Sequence, residues 1–189
     1  MSVTHRSSEC HQTGAATDTD VTNVCRFTRG SHLEPPFAAT VLDMARILRT
    51  DLPDGRFHVT ACGAGGTHIF VVDLDRVLFL RALDITMRRY GWELLAYCLM
   101  GTHYHLVLDV KAGTLPPAMR WLNGVYSRGF NKRYERRGHL LGARYDTWLI
   151  RDEQHFRATI EYVLDNPVRA GLCAEAKDWP WSYAAEDAA

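Results

Sequence analysis

The sequence predicts an α+β fold: a ferredoxin-like split βαβ with an antiparallel sheet, helices on one face, and an additional C-terminal helix that carries Tyr162. Three observations predict it. Short stretches alternate apolar and polar residues, longer ones repeat apolar residues at three and four spacing, and the two kinds follow one another as β-α-β-β-α-β-α.

The first strand is "GRFHVTAC", in which Phe57, Val59 and Ala61 turn inward and Arg56, His58 and Thr60 form the wet side. Between Asp73 and Tyr90, Leu74, Val77, Leu78, Leu80, Leu83, Ile85 and Met87 make a helical stripe that Asp73 or Asp75 can cap and Gly91 ends. "WELLAYCLM" and "HYHLVLDV", split by Gly101-Thr102, are a hairpin. Leu115 to about Tyr134 is a second helix, which tolerates Pro116 and Pro117 in its first turn, and the loop after it carries most of a basic cluster. "DTWLIR" is the fourth strand. Asp152 opens the last helix, and Asn166-Pro167 should stop it, because proline disfavours helical geometry in the residue before it.

A chain of 189 residues suits one domain with a tail. Residues 1–43 are rich in Ser, Thr, Asp and Gly without apolar periodicity and read as a disordered N-terminal extension, leaving 44–189 as the domain. The net charge of zero is uneven, with three Arg against five acids in residues 1–43. Residues 128–144 hold six basic residues against Glu135 alone. That is either a solvated helix face or a footprint for phosphate. Five cysteines without a C-x-x-C pair argue for a reducing cytoplasm and against a thiolate zinc site, and no apolar run suits a membrane span or a signal peptide. A soluble cytoplasmic protein is expected.

The chemistry begins at "GTHYHLVLD". Residues two apart on a strand share a face, so His103 and His105 project together while Tyr104 turns away. Two imidazoles so placed can bind one metal ion, but alternating polar residues on a wet face give the same pattern, and a third ligand is needed. In "IEYVLDNPVRAG", Tyr162 and Asn166 stand four apart on one helix face, offering a phenol and an amide oxygen. Packed beside the histidines they would complete a phosphoryl-transfer site in which a divalent ion polarises a phosphodiester and the phenol attacks it. The competing reading of Tyr162 is a core aromatic whose hydroxyl is satisfied.

Four stretches, "GWELLAYCLMGTHYHLVLD", "RWLNGVYSRGFNKRYERRGHLLGARY", "YVLDNPVRAGL" and "DWPWSYA", in that order and spacing, resemble the REP-associated tyrosine transposases. These are HUH single-tyrosine transposases that act on single-stranded DNA. The resemblance covers about residues 44–185. It implies Mg or Mn held by His103 and His105 with Asn166 as third ligand, Tyr162 as nucleophile, and a 5'-phosphotyrosine that a later hydroxyl reverses. It further implies single-stranded or hairpin DNA as partner, no membrane, and a monomer or homodimer. The residues expected on DNA are Arg120, Arg128, Lys132, Arg133, Arg136, Arg137, Arg144, Tyr145 and Arg169. Tyr134, His139 and Tyr145 interleave the cations and can stack on unpaired bases. The aromatics of "DWPWSYA" either stack on bases or cover a core edge.

Three features depart from the family. "CGAGGT" stands where a cationic loop is common, Gly101-Thr102 precedes the first histidine in place of a Pro-Asn or Pro-Glu pair, and Asp146 replaces a basic residue. A hairpin-binding protein that has lost turnover is therefore the alternative, and a hydrolase of small phosphoesters is a third reading that leaves the basic cluster unexplained. "MARILRTDLPDGRFHVT" looks like the family's usual start, so Met44 is the expected initiator.

Overall fold

A computed structural model describes residues 52–142 and 144–185 of the chain. Its elements run β1 (Gly55–Cys62), α1 (Asp73–Tyr90), β2 (Glu93–Leu99), β3 (His103–Val110), α2 (Leu115–Arg133), β4 (Asp146–Leu149), α3 (Glu153–Arg169) and β5 (Ser182–Ala184). The expected extension over residues 1–43 and the start at Met44 lie outside the described residues.

Every strand pairing is antiparallel and the sheet order is β4-β1-β3-β2-β5. The first four strands thus follow the split βαβ order, as the alternation predicts. β5 is an addition: "DWPWSYA" supplies a fifth strand against β2, where Tyr183 stacks on Tyr97 with centroids 5.8 Å apart. Trp181 packs on the larger core and Trp179 on the smaller one, so both cover core edges. Among the described residues no helix is long and apolar enough to cross a membrane.

α1 and α2 cover one face of the sheet. Phe57, Val59 and Ala61 of β1 meet Tyr104, Leu106 and Leu108 of β3 and the helix residues Phe79, Leu83, Met119 and Leu122 in one apolar cluster. The face α1 uses differs from the predicted stripe. Leu74 and Ile85 are about half exposed, whereas Phe79, Ala82, Leu83 and Thr86 are buried. Thr86 can be buried because its hydroxyl donates to the Ala82 carbonyl at 2.7 Å. Capping differs too: Val72 is the N-cap, and the buried Asp75 reaches back from the first turn to accept the Val71 and Val72 amides at 2.9 and 3.0 Å. Gly91, at φ 68°, ends the helix in the left-handed conformation that glycine adopts without strain.

The additional helix, α3, covers the opposite face. Phe156, Ile160, Tyr162 and Val163 pack there on Ala96, Cys98 and Val107. β1 is consequently buried on both sides, and His58 and Thr60, expected on a wet surface, are each 1% exposed. A period-two pattern records a change of face but not what lies beyond it.

α3 also runs past its expected stop, with Pro167 inside the helix. Proline cannot donate to the Val163 carbonyl; the Asn166 side-chain Nδ2 reaches that carbonyl at 3.4 Å, with its closer bond, 2.7 Å, to the Tyr162 carbonyl. The chain turns only at Gly171, at φ 69°.

Candidate active site

The antiparallel register sets His105 opposite Thr60 and His103 opposite Cys62, which places both histidines on the sheet face beneath α3. Their exposures are 4% for His103 and 0% for His105, and the ring centroids lie 5.1 Å apart at 86°. His103 Nδ1 is 3.1 Å from the Thr102 hydroxyl, and His105 Nδ1 is 2.9 Å from His58 Nε2. Both Nε2 atoms are buried without a hydrogen-bond partner. Buried polar atoms are nearly always paired, so two such nitrogens on one face need a chemical reason.

Burial disfavours the charged imidazolium, pushing His103 down to about 4 and His58 to about 3, with His105 held well below its ordinary value. The three rings are therefore neutral at pH 7. Neutral nitrogens with both Nδ1 atoms engaged and both Nε2 atoms buried and unpaired fit a divalent cation. Among the described residues no group of three His, Cys, Asp or Glu could hold a metal ion, so any further ligand to one held by the two histidines would be of another kind. Asn166 has its amide protons turned onto its own helix, leaving the amide oxygen as the donor it can offer.

Tyr162, 5% exposed, comes down from α3 onto His105 and His58, its ring 5.8 Å from that of His105 and perpendicular to it and 6.0 Å from that of His58. Burial raises its phenol above the usual range, and the Arg169 guanidinium, 5.1 Å over the ring, opposes that shift. The hydroxyl is protonated at neutral pH and has a cation at hand to offset charge that develops there.

His58 belongs to the site, although the sequence marks it only as a polar residue on the wet side of a strand. Its signal was present in "RFHVTAC", at the period-two spacing that places it with Thr60, but assigning it required the β1–β3 register. Trp148 of β4 stacks on it with centroids 5.2 Å apart.

The basic residues gather elsewhere, on the other face at the same end of the sheet. A cleft of about 560 Å³ lies between α2 and residues 138–142 and 144–145, bordered by Arg120, Arg128, Arg144 and His139, with Asn123 and Tyr145 in its wall. The backbone of residues 138–142 is tied to the His103 end, since Gly142 N–H donates to the Cys62 carbonyl at 2.8 Å and Gly63 N–H to that of Thr102 at 2.8 Å. Lys132 and Arg137 are exposed, while Arg133 is 3.9 Å from Asp75 and Arg136 bonds Asn131 at 3.3 Å. The cluster is not mostly in the loop: Arg128, Lys132 and Arg133 lie on α2 itself. Two aromatics are less available for stacking than the sequence suggests. Tyr134 donates to Asp75 at 2.8 Å, and Tyr145 is only 9% exposed within the core.

The loop "CGAGGT" is a tight turn. A side chain at Gly63 would stand 1.9 Å from the Thr67 carbonyl oxygen, so only glycine fits, and residues 62–67 contain no cation.

Residues 55–166 match the family model described as "Transposase IS200 like". A Haemophilus influenzae protein provisionally named a REP-associated tyrosine transposase is 29% identical over 139 residues, which cover 62% of this chain and 79% of that protein. A solved REP-associated tyrosine transposase bound to a REP hairpin superposes with a TM-score of 0.60 at 18% identity, over 74% of this chain and 82% of that one. At that identity the likeness carries the fold.

Proposed function

The chain belongs to the IS200-like transposase family, and from that premise we propose that it cleaves and rejoins single-stranded, hairpin-containing DNA through Tyr162 with a divalent metal. The observation that carries this reading is the pair of buried, partnerless Nε2 atoms of His103 and His105, with the Tyr162 ring against His105.

His103, His105 and the Asn166 amide oxygen would hold Mg or Mn. The bound cation supplies Lewis acidity toward a phosphate oxygen. The Tyr162 oxygen attacks phosphorus as its proton leaves, the bond to the 3' oxygen breaks, and the strand ends as a 5'-phosphotyrosine and a free 3'-hydroxyl. One phosphodiester is exchanged for another, so neither water nor a nucleotide cofactor is consumed. Arg169, over the phenol ring, offsets negative charge as the proton departs.

DNA as the partner is supported by the hairpin bound to the structural relative and by the cations at the cleft. Arg120, Arg128 and Arg144 there, with the exposed Lys132 and Arg137, can neutralise phosphates. A second reading, a hairpin-binding protein without turnover, is favoured by the cation-free loop at residues 62–67.

Incubation with Mn²⁺ and single-stranded hairpins drawn from the DNA flanking the gene separates the two. A covalent adduct on a denaturing gel, abolished by Tyr162→Phe and by His103→Ala, supports the enzyme. Clear hairpin binding with no adduct supports the binding protein.

A further inference from the structure

His58 contributes to none of the steps above, yet it is buried among them. It shares the His105 face of the sheet, one pleat along β1 from Thr60, and forms a diagonal cross-strand pair with His105. The nitrogens meet at 2.9 Å and the ring planes differ by 17°. With centroids 5.2 Å apart, the rings meet edge to edge through one nitrogen each rather than face to face. Trp148 fixes His58 from the β4 side.

This arrangement dictates where the protons lie. If His105 presents a lone pair at Nε2, its own proton is on Nδ1 and donates to His58 Nε2. His58 must then carry its proton on Nδ1, an atom that is buried without a partner. A residue kept only for packing would not impose a buried, unpaired N–H on the core, since an apolar side chain of similar size avoids that cost.

We propose that His58 is a positioning residue: it accepts the Nδ1 proton of His105, fixes that tautomer, and aims His105 Nε2 at the cation. This rests on the reading of His103 and His105 as metal ligands. Carboxylates and carbonyl oxygens are common acceptors behind such ligands. A neutral imidazole does the same without adding negative charge beside an incoming phosphate.

The test compares the full chain with His58→Leu, which removes the acceptor, and His58→Gln, which can restore one. Mn²⁺ affinity is read by electron paramagnetic resonance, and the His105 tautomer by ¹⁵N NMR of the metal-free protein. The wild type should show His105 protonated on Nδ1. His58→Leu should mix the tautomers and weaken Mn²⁺ binding by about 10- to 100-fold, and His58→Gln should recover most of that loss. Wild-type Mn²⁺ affinity and an unchanged tautomer in a folded leucine variant would overturn the inference alone. A wild-type protein that binds no Mn²⁺ would overturn the metal reading and this inference with it. Should the leucine variant fail to fold, the wild-type spectrum decides, because a proton on His105 Nε2 contradicts the proposal.

Discussion

The α1/α2 face of the sheet fills with Phe57, Phe79, Tyr104, Leu106 and Leu122 and finds hydrogen-bond partners for the Tyr104 and Tyr126 hydroxyls. The α3 face buries His58, His103 and His105 and leaves one nitrogen of each without a partner. The same strands build both, since successive residues of β1 and β3 turn to opposite sides. The difference shows a division of labour. One face supplies stability through apolar burial, and the other, beside its own apolar cluster, accepts a cost of about 1–3 kcal/mol for each unsatisfied ring nitrogen.

Tyr162→Phe gives the largest effect that would sharpen this contrast. It removes one hydroxyl from the α3 face, so covalent capture of DNA should fall by about 10³-fold or more while thermal stability and hairpin affinity stay near wild type. Denaturing gels and a melting curve check both halves.

Phe79→Ala attacks the other face. Its ring touches Phe70, Tyr104 and Tyr126, and its loss should cost about 3–5 kcal/mol by denaturant titration. Mn²⁺ affinity, measured well below the midpoint, should not change. A matching loss of metal binding would break the division between the faces.

Acid should act through the α3 face. Because the folded pKa values of His103 and His58 lie below the unfolded value of about 6.5, the unfolded chain takes up protons first. The stability tied to these rings is complete above that pH. It is lost as pH falls toward about 4 for His103 and about 3 for His58, with a slope of at most about 1.4 kcal/mol per pH unit for each histidine. Urea melts from pH 7 to 5 would show this, and replacing His103 by Gln should flatten the slope.

The smallest effect belongs to the rim of the cleft. Arg128→Ala or Arg144→Ala should weaken hairpin binding several-fold and reduce the slope of log affinity against log salt by about 1. Arg133→Ala should change that slope less, because Arg133 lies 3.9 Å from the buried Asp75.

Much of this arrangement was legible in the sequence. The hairpin, the two crossover helices and the pairing of His103 with His105 follow from spacing alone, because a strand's period of two admits no other placement. His58 did not follow. A polar residue on the second face of a strand looks the same whether water or a helix covers it, and α3 comes from a hundred residues farther along the chain. The passage of α3 through Pro167 was hidden for a different reason. A local rule disfavoured it, and the contact of the Asn166 side chain with the Val163 carbonyl is one that only the folded geometry reveals. The same applies to β5, whose three residues Ser182–Ala184 are too short to show a period and are held by the β2 edge they meet.

The most direct test of the central claim is mass spectrometry of the trapped protein-DNA adduct after trypsin and nuclease digestion. The account predicts a nucleotide phosphate on the peptide spanning residues 158–169, attached at Tyr162. A phosphate attached to any other residue, or an adduct that persists in Tyr162→Phe, would contradict it.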